Sequence, residues 1–334
     1  MIENLLISLS PNLPYLSLHL ETREYALLRT IIRRLLQGLV TMWLVVTVVF
    51  VVMRLSGDPV EILYAGDPRP EAEREKENLR QALGLTDPLP VQYASFLLQV
   101  ARLDFGQSFV TRRPVMQMIV QTLPYTLRLT VSAFVVAYLI ALPMGIIVAV
   151  RRNSWLDYSS LVAAMGGVSI PPFWVGLMFI LLFALKLDWL PASGVESASA
   201  YVLPVIVLAI PRLSFMTRYV RGVMLEVLST DYLRTARAKG LPEVRVITGH
   251  AVRNTLIPIV TLMGLQLGYL VGGSVIIEQV FGIPGLGHLL VQSIFNRDFP
   301  VVQAAVLILS LSIVLANLLT DLTYPYLDPR IAHE

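Results

Sequence analysis

Apolar residues along this chain neither alternate nor keep to one helical stripe. They come in long blocks that are apolar all round, separated by shorter polar segments. A helix that crosses a bilayer needs about 20 mostly apolar residues. Six blocks reach roughly that length: residues 35–53, 127–150, 161–185, 202–224, 259–277 and 302–322. The expectation is an all-α integral membrane protein with six transmembrane helices. The fourth block is the weakest, because Arg212 and Arg218 interrupt it. The third holds Pro171-Pro172, which must kink or break it, and Gly166-Gly167, which loosen it. Gly264, Gly268 and Gly272 recur every four residues in the fifth, a face that lets helix backbones pack closely.

Composition agrees with membrane residence. Only 15% of the 334 residues are charged and 55% are hydrophobic, whereas soluble domains carry about 25% charged residues. The net charge of +3 says less than where the charges sit. Arg33 and Arg34 precede the first block, and Arg151 and Arg152 follow the second. Arg218, Arg221, Arg234, Arg237, Lys239, Arg245 and Arg253 cluster at and after the end of the fourth. Placing both termini inside puts all three clusters in the cytoplasm, as the positive-inside rule requires. The chain then divides into a cytoplasmic extension (1–32), a first span (33–54), an external lobe (55–122), a five-span core (123–328) containing a cytoplasmic loop at 229–258, and a short tail (329–334). The lobe mixes signs (Glu71, Glu73, Arg74, Glu75, Lys76, Glu77, Arg80), as a folded or surface-lying helical unit does. The first 20 residues lack the basic region and small-residue cleavage site of a signal peptide.

Several chemistries are excluded. There are no cysteines, and His19, His250, His288 and His333 are scattered without ligand spacing. No Gly is followed by Lys, so no phosphate-cradling loop of the G-x-x-x-x-G-K type exists. The chain is therefore expected to bind no metal or cofactor and to be no enzyme. Asp104-Phe105-Gly106 spells a kinase tripeptide without its companion motifs and reads as a turn. Ion-coupled carriers keep ionisable groups at membrane depth; within the six blocks only Arg212 lies deep, and no mid-span carboxylate is present. A proton-coupled carrier is thus disfavoured. A pore driven by an energised partner, a passive channel and a non-transporting scaffold stay open. Arg212 lies about 15 Å into its block at the helical rise. It is a candidate for the translocation path, with a paired structural role as the alternative.

The stretch from Asp231 to Pro258 carries the most information. Ser229 or Asp231 suits a helix N-cap, 232–239 suits a short helix, and Arg237 and Lys239 complement its C-terminal dipole. Gly240 can take the left-handed conformation that stops it. Pro242, with Glu243, fits the first turn of a following helix. Ala236 and Ala238 are small enough to let the helix approach a partner surface. Composition alone also permits a plain interfacial amphipathic helix.

This stretch, with its Arg-Thr-Ala-Arg-Ala-Lys-Gly wording and His250-Ala-x-Arg253-Asn254, resembles the EAA loop of bacterial ABC importer permeases in its peptide-family form. Ala236, Gly240 and Pro258 fall where the loop's Ala, Gly and closing Pro are expected; Thr255 stands where a small Ala is usual. Further matches run from about Arg33 to Arg330: Gly57-Asp58-Pro59, Leu83-Gly84-Leu85, Asp87-Pro88, Leu190-Pro-Ala-Ser-Gly194, Phe281-Gly-Ile-Pro-Gly-Leu-Gly287, Asn296-Arg-Asp-Phe-Pro-Val-Val-Gln303 and Leu327-Asp-Pro-Arg330. Together they resemble the dipeptide, oligopeptide and nickel importer permeases. The short connection after the third block is closer to the glutathione-type and general peptide members. The leader is longer than usual for the family. The resemblance implies a bacterial inner-membrane subunit that passes peptides or similar small solutes. Its implied partners are a second homologous permease, two ATPase subunits that bind ATP and Mg, and an external solute-binding protein, besides membrane lipid and with no nucleic acid. The implied docking residues are Asp231, Tyr232, Arg234, Thr235, Ala236, Arg237, Ala238, Lys239 and Gly240.

Overall fold

The computed structural model describes the backbone of residues 13–58, 60–61, 64, 69 and 72–327. Side-chain surroundings are described from 31 to 320, apart from those gaps, Ile257, Gly264, Leu265 and 267–271. The chain is helical almost throughout. Among the described residues the only β pairing is a single bridge between Gln107 and Pro114. In order, the elements are α1 (Leu13–Leu55), α2 (Ala72–Ala82), α3 (Leu89–Ala101), α4 (Val115–Val150), α5 (Trp155–Ser169), α6 (Pro172–Phe179), α7 (Val202–Leu228), α8 (Asp231–Ala238), α9 (Glu243–Arg245), α10 (Val252–Phe281), α11 (Leu286–Phe295) and α12 (Phe299–Leu327). Wider π-type turns extend α6 (Ile180–Lys186) and lead into α10 (Val246–Ala251).

Four described stretches are long and apolar enough to cross a membrane: Ile31–Leu55, Val115–Val150, Ala198–Leu228 and Phe299–Thr320. Two bent pairs bring the number to six if each is one span. Trp155–Ser169 with Pro172–Lys186 bends by 101°, and Gly272–Phe281 with Leu286–Phe295 by 75°. The first bend is where the sequence demands it. Ile170, ahead of Pro171, is extended (φ −83°, ψ 128°), because the proline ring disfavours a helical residue before it. Pro172 then restarts the helix at a position that needs no amide hydrogen. The expected kink is a full break. The second bend lies past the drawn end of the fifth block, because α10 runs on to Phe281 before a left-handed Gly282 (φ 61°) stops it.

The block judged weakest forms the best buried of the four unbroken spans. Within α7, 56% of the apolar window is buried, against 17% in α1. Packed against α4, α5, α6 and α10, α7 faces protein, so interruption by arginine costs it less than it would cost a lipid-facing helix. Its closest partner is α4, whose Ala133, Ala137, Ala141, Gly145 and Ala149 recur every fourth residue and are all buried. A Cβ on Gly145 would sit 2.6 Å from the Val220 side chain and 2.9 Å from the Thr217 carbonyl, so the helices touch almost backbone to backbone there. The long α4 also defines the two ends of the bundle. Val115 and Ile119 pack with Leu286 and Val301, and Ala149, at the other end, packs with Met224, Leu233 and Val246.

Candidate functional site

At the α4 end marked by Ala149, α7 stops and the chain turns through α8. Thr230, rather than Ser229 or Asp231, occupies the N-cap, and its hydroxyl donates back to the Val227 carbonyl instead of capping. Asp231 begins the helix and forms an ion pair with Arg234 at 3.3 Å. The far end is built as the glycine predicts. Gly240 is left-handed (φ 77°); its amide donates to Arg237 O at 2.9 Å and the Leu241 amide to Ala236 O at 3.4 Å, the paired bonds of a Schellman ending. Across this turn Arg237 clamps Glu243, with Nη2 to Oε1 at 2.9 Å and Nε to Oε2 at 3.1 Å. The Arg237 hydrogen bond holds the Glu243 carboxyl below its ordinary range. Pro242 caps α9 rather than lying inside it.

The faces of α8 divide cleanly. Leu233 and Ala236, three apart and hence on one side, are buried against Met224, Val246 and Ala251 of the same chain. Ala236 is therefore turned inward, its small side chain letting α8 lie flat on its own bundle. Asp231, Tyr232, Arg234, Thr235, Arg237, Ala238, Lys239 and Gly240 are exposed. The Tyr232 hydroxyl accepts from Asn254 Nδ2 at 2.7 Å, tying α8 to the start of α10. The structure thus brings the nine expected docking residues together as one surface, Ala236 excepted.

Arg212 lies near the middle of α7, one residue after Pro211, partly buried between α4 and α10. Its Nη2 is 3.7 Å from where a Cβ on Gly273 would stand, and it lies within electrostatic reach of the Tyr138 phenol. Of the fifth-block glycines, Gly272 is exposed, with nothing among the described residues within 4 Å of an added Cβ. The surroundings of Gly264 and Gly268 fall outside the described residues.

Two buried carboxylates escaped the sequence reading. Asp157, 1% exposed, receives Arg221 through two bonds, Nε to Oδ1 at 2.6 Å and Nη2 to Oδ2 at 2.8 Å, and the Asn153 amide at 3.0 Å. The pair ties the start of α5 to α7, so Arg221 is an anchor as well as a contributor to the positive cluster. Its signal was Ser154-x-x-Asp157, a helix-start box in which Ser154 accepts from the Asp157 amide.

The second is Glu278, a buried carboxylate that the drawn block boundaries left out. It lies one residue beyond the drawn fifth block, inside α10, and is fully buried. Its Oε1 accepts from Thr126 Oγ1 at 2.7 Å and its Oε2 from the His288 amide at 3.0 Å; Ser274 and the Gly287 amide also bond to it. Thr126 Oγ1 in turn accepts from the Leu286 amide at 2.8 Å. The carboxylate thus caps the N-terminus of α11, where free amides and the helix dipole favour a negative charge, and fixes the bend against α4. Gly285 and Gly287 make room: a Cβ on the first would stand 2.4 Å from the Glu278 carboxyl carbon, and on the second 2.6 Å from Val275 Cα. Every contact it makes is structural, so it does not revive the proton-carrier reading.

Residues 141–333 match the family described as binding-protein-dependent transport system inner membrane component, and residues 27–130 match its N-terminal companion. The chain belongs to this family of transport permeases. It is an inner-membrane, multi-pass subunit of an ABC importer. Similar curated proteins include the glutathione transport system permease protein GsiC of Escherichia coli strain K12, 43% identical over 310 residues, which are 92% of this chain and 100% of the relative. GsiC of Shigella dysenteriae matches equally, and that of Salmonella choleraesuis at 42%. Among solved structures, a chain of the MetNI methionine ABC transporter in an inward-facing form aligns at TM-score 0.51 and 22% identity, covering 65% of this chain and 95% of that one. This last likeness shows a shared fold.

In this permease the family motifs acquire structural roles. Phe281 to Gly287 is the capped bend at Glu278. Asp298 of the 296–303 motif, 3% exposed, accepts from the Ser108 hydroxyl and the Phe109 amide at 2.9 Å, pinning the lobe to the start of α12. Asp104 accepts from the Gly106 amide at 3.1 Å beside a left-handed Leu103, the simple turn expected of the kinase-like tripeptide.

Proposed function

We propose that the chain is one of two homologous permeases enclosing a path for peptides or small peptide-like solutes such as glutathione. Both termini face the cytoplasm, the two bent pairs each count as one of six spans, and the lobe is external. Two ATPase subunits that bind ATP and Mg sit at the loop end, and a solute-binding protein sits at the lobe end. The exposed face of α8 docks into the ATPase partner. Closure of the ATPase pair is transmitted through α8 to α7 and α10.

The observation that carries this reading is the build of α8: a short helix at the end of the bundle opposite the lobe. It is anchored from within by Leu233 and Ala236, locked by the Gly240 turn and the Arg237–Glu243 clamp, and polar on its free face. The charge pattern supports the orientation, and the 43% likeness to glutathione permeases supports the solute class. Arg212, between α4 and α10, is assigned to the path, where a guanidinium suits a peptide carboxylate.

Because Ala236 points inward, docking is tested at Arg234 and Ala238. In proteoliposomes holding the complete transporter, Arg234→Glu with Ala238→Glu should abolish uptake and uncouple ATP hydrolysis from solute, with assembly intact. Unchanged uptake would overturn the docking role. Uptake driven by a proton gradient without ATP would favour a secondary carrier instead.

A further inference from the structure

At the lobe end, a cavity of about 230 Å³ lies between the last turn of α1, the turn after α2, α3 and the start of α12. It shares no residue with the loop, with Arg212 or with the Glu278 bend. Two polar atoms of its lining residues are buried and have no hydrogen-bond partner among the described residues: Arg54 Nε and Gln92 Oε1. The amide orientation of Gln92 is set by its other end, since Nε2 donates to the carbonyls of Leu85 at 3.0 Å and Asp87 at 2.7 Å. Oε1 is left as an acceptor in need of a donor. Arg54 is held over the Phe50 ring, 5.0 Å from its centroid, and the nearby Asp58 is engaged by Arg80 at 2.7 Å. The guanidinium therefore presents a donor in need of an oxyanion. Buried polar groups left in this state are costly. Asp87 and Asp104 also line the cavity.

We propose that this cavity binds a small zwitterion, its oxyanion on Arg54 and its ammonium on Gln92 Oε1 beside Asp87 or Asp104. A guanidinium favours carboxylate and phosphate oxygens through paired bonds. An amide oxygen in a cavity also lined by Asp87 and Asp104 suits the ammonium end. The same chemistry has two sources. One is the headgroup of phosphatidylethanolamine, whose chains would lie along the exposed Val51, Val52 and Leu55 of α1. The other is a free amino acid or dipeptide. The inference rests on the cavity and not on the solute assigned above.

The chain has no cysteine, so Ser95→Cys in the cavity wall gives a single reporter on it. The full chain with its co-assembling subunits is placed in nanodiscs of phosphatidylglycerol, with or without phosphatidylethanolamine. Maleimide labelling is timed with phosphoethanolamine, glycylglycine, or the one-charge controls ethanolamine and acetate. Binding predicts that at least one zwitterion slows labelling by about tenfold or more while the controls do not. It also predicts that Arg54→Gln and Gln92→Leu each raise the half-protecting concentration by about tenfold. Slow labelling in phosphatidylethanolamine discs without added ligand identifies the lipid source. Equal rates in both discs with protection by glycylglycine identify the solute source. No protection by either zwitterion with equal rates in both discs overturns the proposal and leaves a water-filled space, as does protection that survives both substitutions.

Discussion

Removing the Glu278 carboxylate is the sharpest test of how the bent α10–α11 pair is held. Its two oxygens serve the Thr126 hydroxyl, the His288 amide, Ser274 and the Gly287 amide in a fully buried setting. In Glu278→Ala the α11 amides lose their acceptor, and a void the size of the carboxyethyl tip opens. Each buried donor left unsatisfied costs about 1–3 kcal/mol, so stranding two or three of them costs about 2–9 kcal/mol before the void is counted. That is a large part of the about 5–15 kcal/mol that holds a typical folded chain. Glu278→Gln keeps the volume but turns one acceptor into a donor. One of the two bonded sides, Thr126 or the α11 amides, is then faced by a donor, and the loss should be about 1–3 kcal/mol.

The expected order in thermal melts of the purified transporter is wild type, then Glu278→Gln, then Glu278→Ala, with the alanine variant poorly assembled. Thr126→Val strands the Leu286 amide as well as one Glu278 oxygen, so the double variant should be less damaging than the sum of the singles by about 0.5–3 kcal/mol. A Glu278→Ala protein that assembles, melts within a degree or two of wild type and transports normally would refute the capping role. It would also show that the α11 amides find other partners.

Gly240→Ala leaves a side chain at a left-handed residue and should weaken coupling of ATP hydrolysis to uptake modestly, by about 1 kcal/mol in the loop; Gly240→Pro, which also removes the amide bond to Arg237, should abolish coupling, and equal activity of both variants and wild type would count against the Schellman lock. Asp157→Asn leaves Arg221 half-buried beside a neutral partner and should lower assembled yield, whereas Asp157→Asn with Arg221→Gln should recover part of it; no recovery would mean that the two side chains act separately. Arg212→Gln should cut uptake while assembly and ATP hydrolysis persist, with Arg212→Lys telling a charge requirement from a two-pronged contact; unaltered uptake removes Arg212 from the path. In the lobe, burial pushes the Asp58 carboxyl up, but the Arg80 hydrogen bond and charge and the Val60 amide outweigh it and hold it below the ordinary value. A depressed carboxylate contributes stability above its unfolded value, near about 4, and loses it as pH falls through the folded one. Hydrogen-exchange protection in Ala72–Ala82, taken relative to the intrinsic rate at each pH, should therefore fall below about pH 4 and stay level from there to neutrality; loss of protection at higher pH would point to another group.

The apolar blocks were legible because a bilayer span is the longest-range pattern a sequence carries, and Pro171-Pro172 announced its own break. Gly240 was legible for a local reason, since only a left-handed residue ends a helix that way. What could not be read depended on which face of a helix meets what. Ala236 fits an intermolecular contact as well as an intramolecular one until Leu233 shows which way that face turns. The buried stripe from Ala133 to Ala149 keeps the same spacing as Gly264, Gly268 and Gly272, but alanine in an apolar block draws no notice. Glu278 was missed because the block was ended at Ile277 on hydropathy. The helix runs on by one turn, since the donors that make a carboxylate tolerable arrive from α4 and α11, far away in sequence.

The placement of the breaks suggests how such a bundle moves without losing its core. The unbroken helices α4 and α7 pack through small residues at near-backbone distance around Gly145, leaving little room to slide. Both bent pairs lie against this spine, and they meet each other: a Cβ on Gly176 of α6 would stand 3.2 Å from the Phe281 ring and from Val280, at the elbow of α10. The elbow is the point Glu278 fixes from the other side. The second limb of one broken helix therefore bears on the hinge of the other, while α8 is riveted through Leu233 and Ala236 to the end of the same spine. If α8 docks as proposed, a displacement applied there would be passed to the elbows through α7 and α10, against which both bent pairs pack.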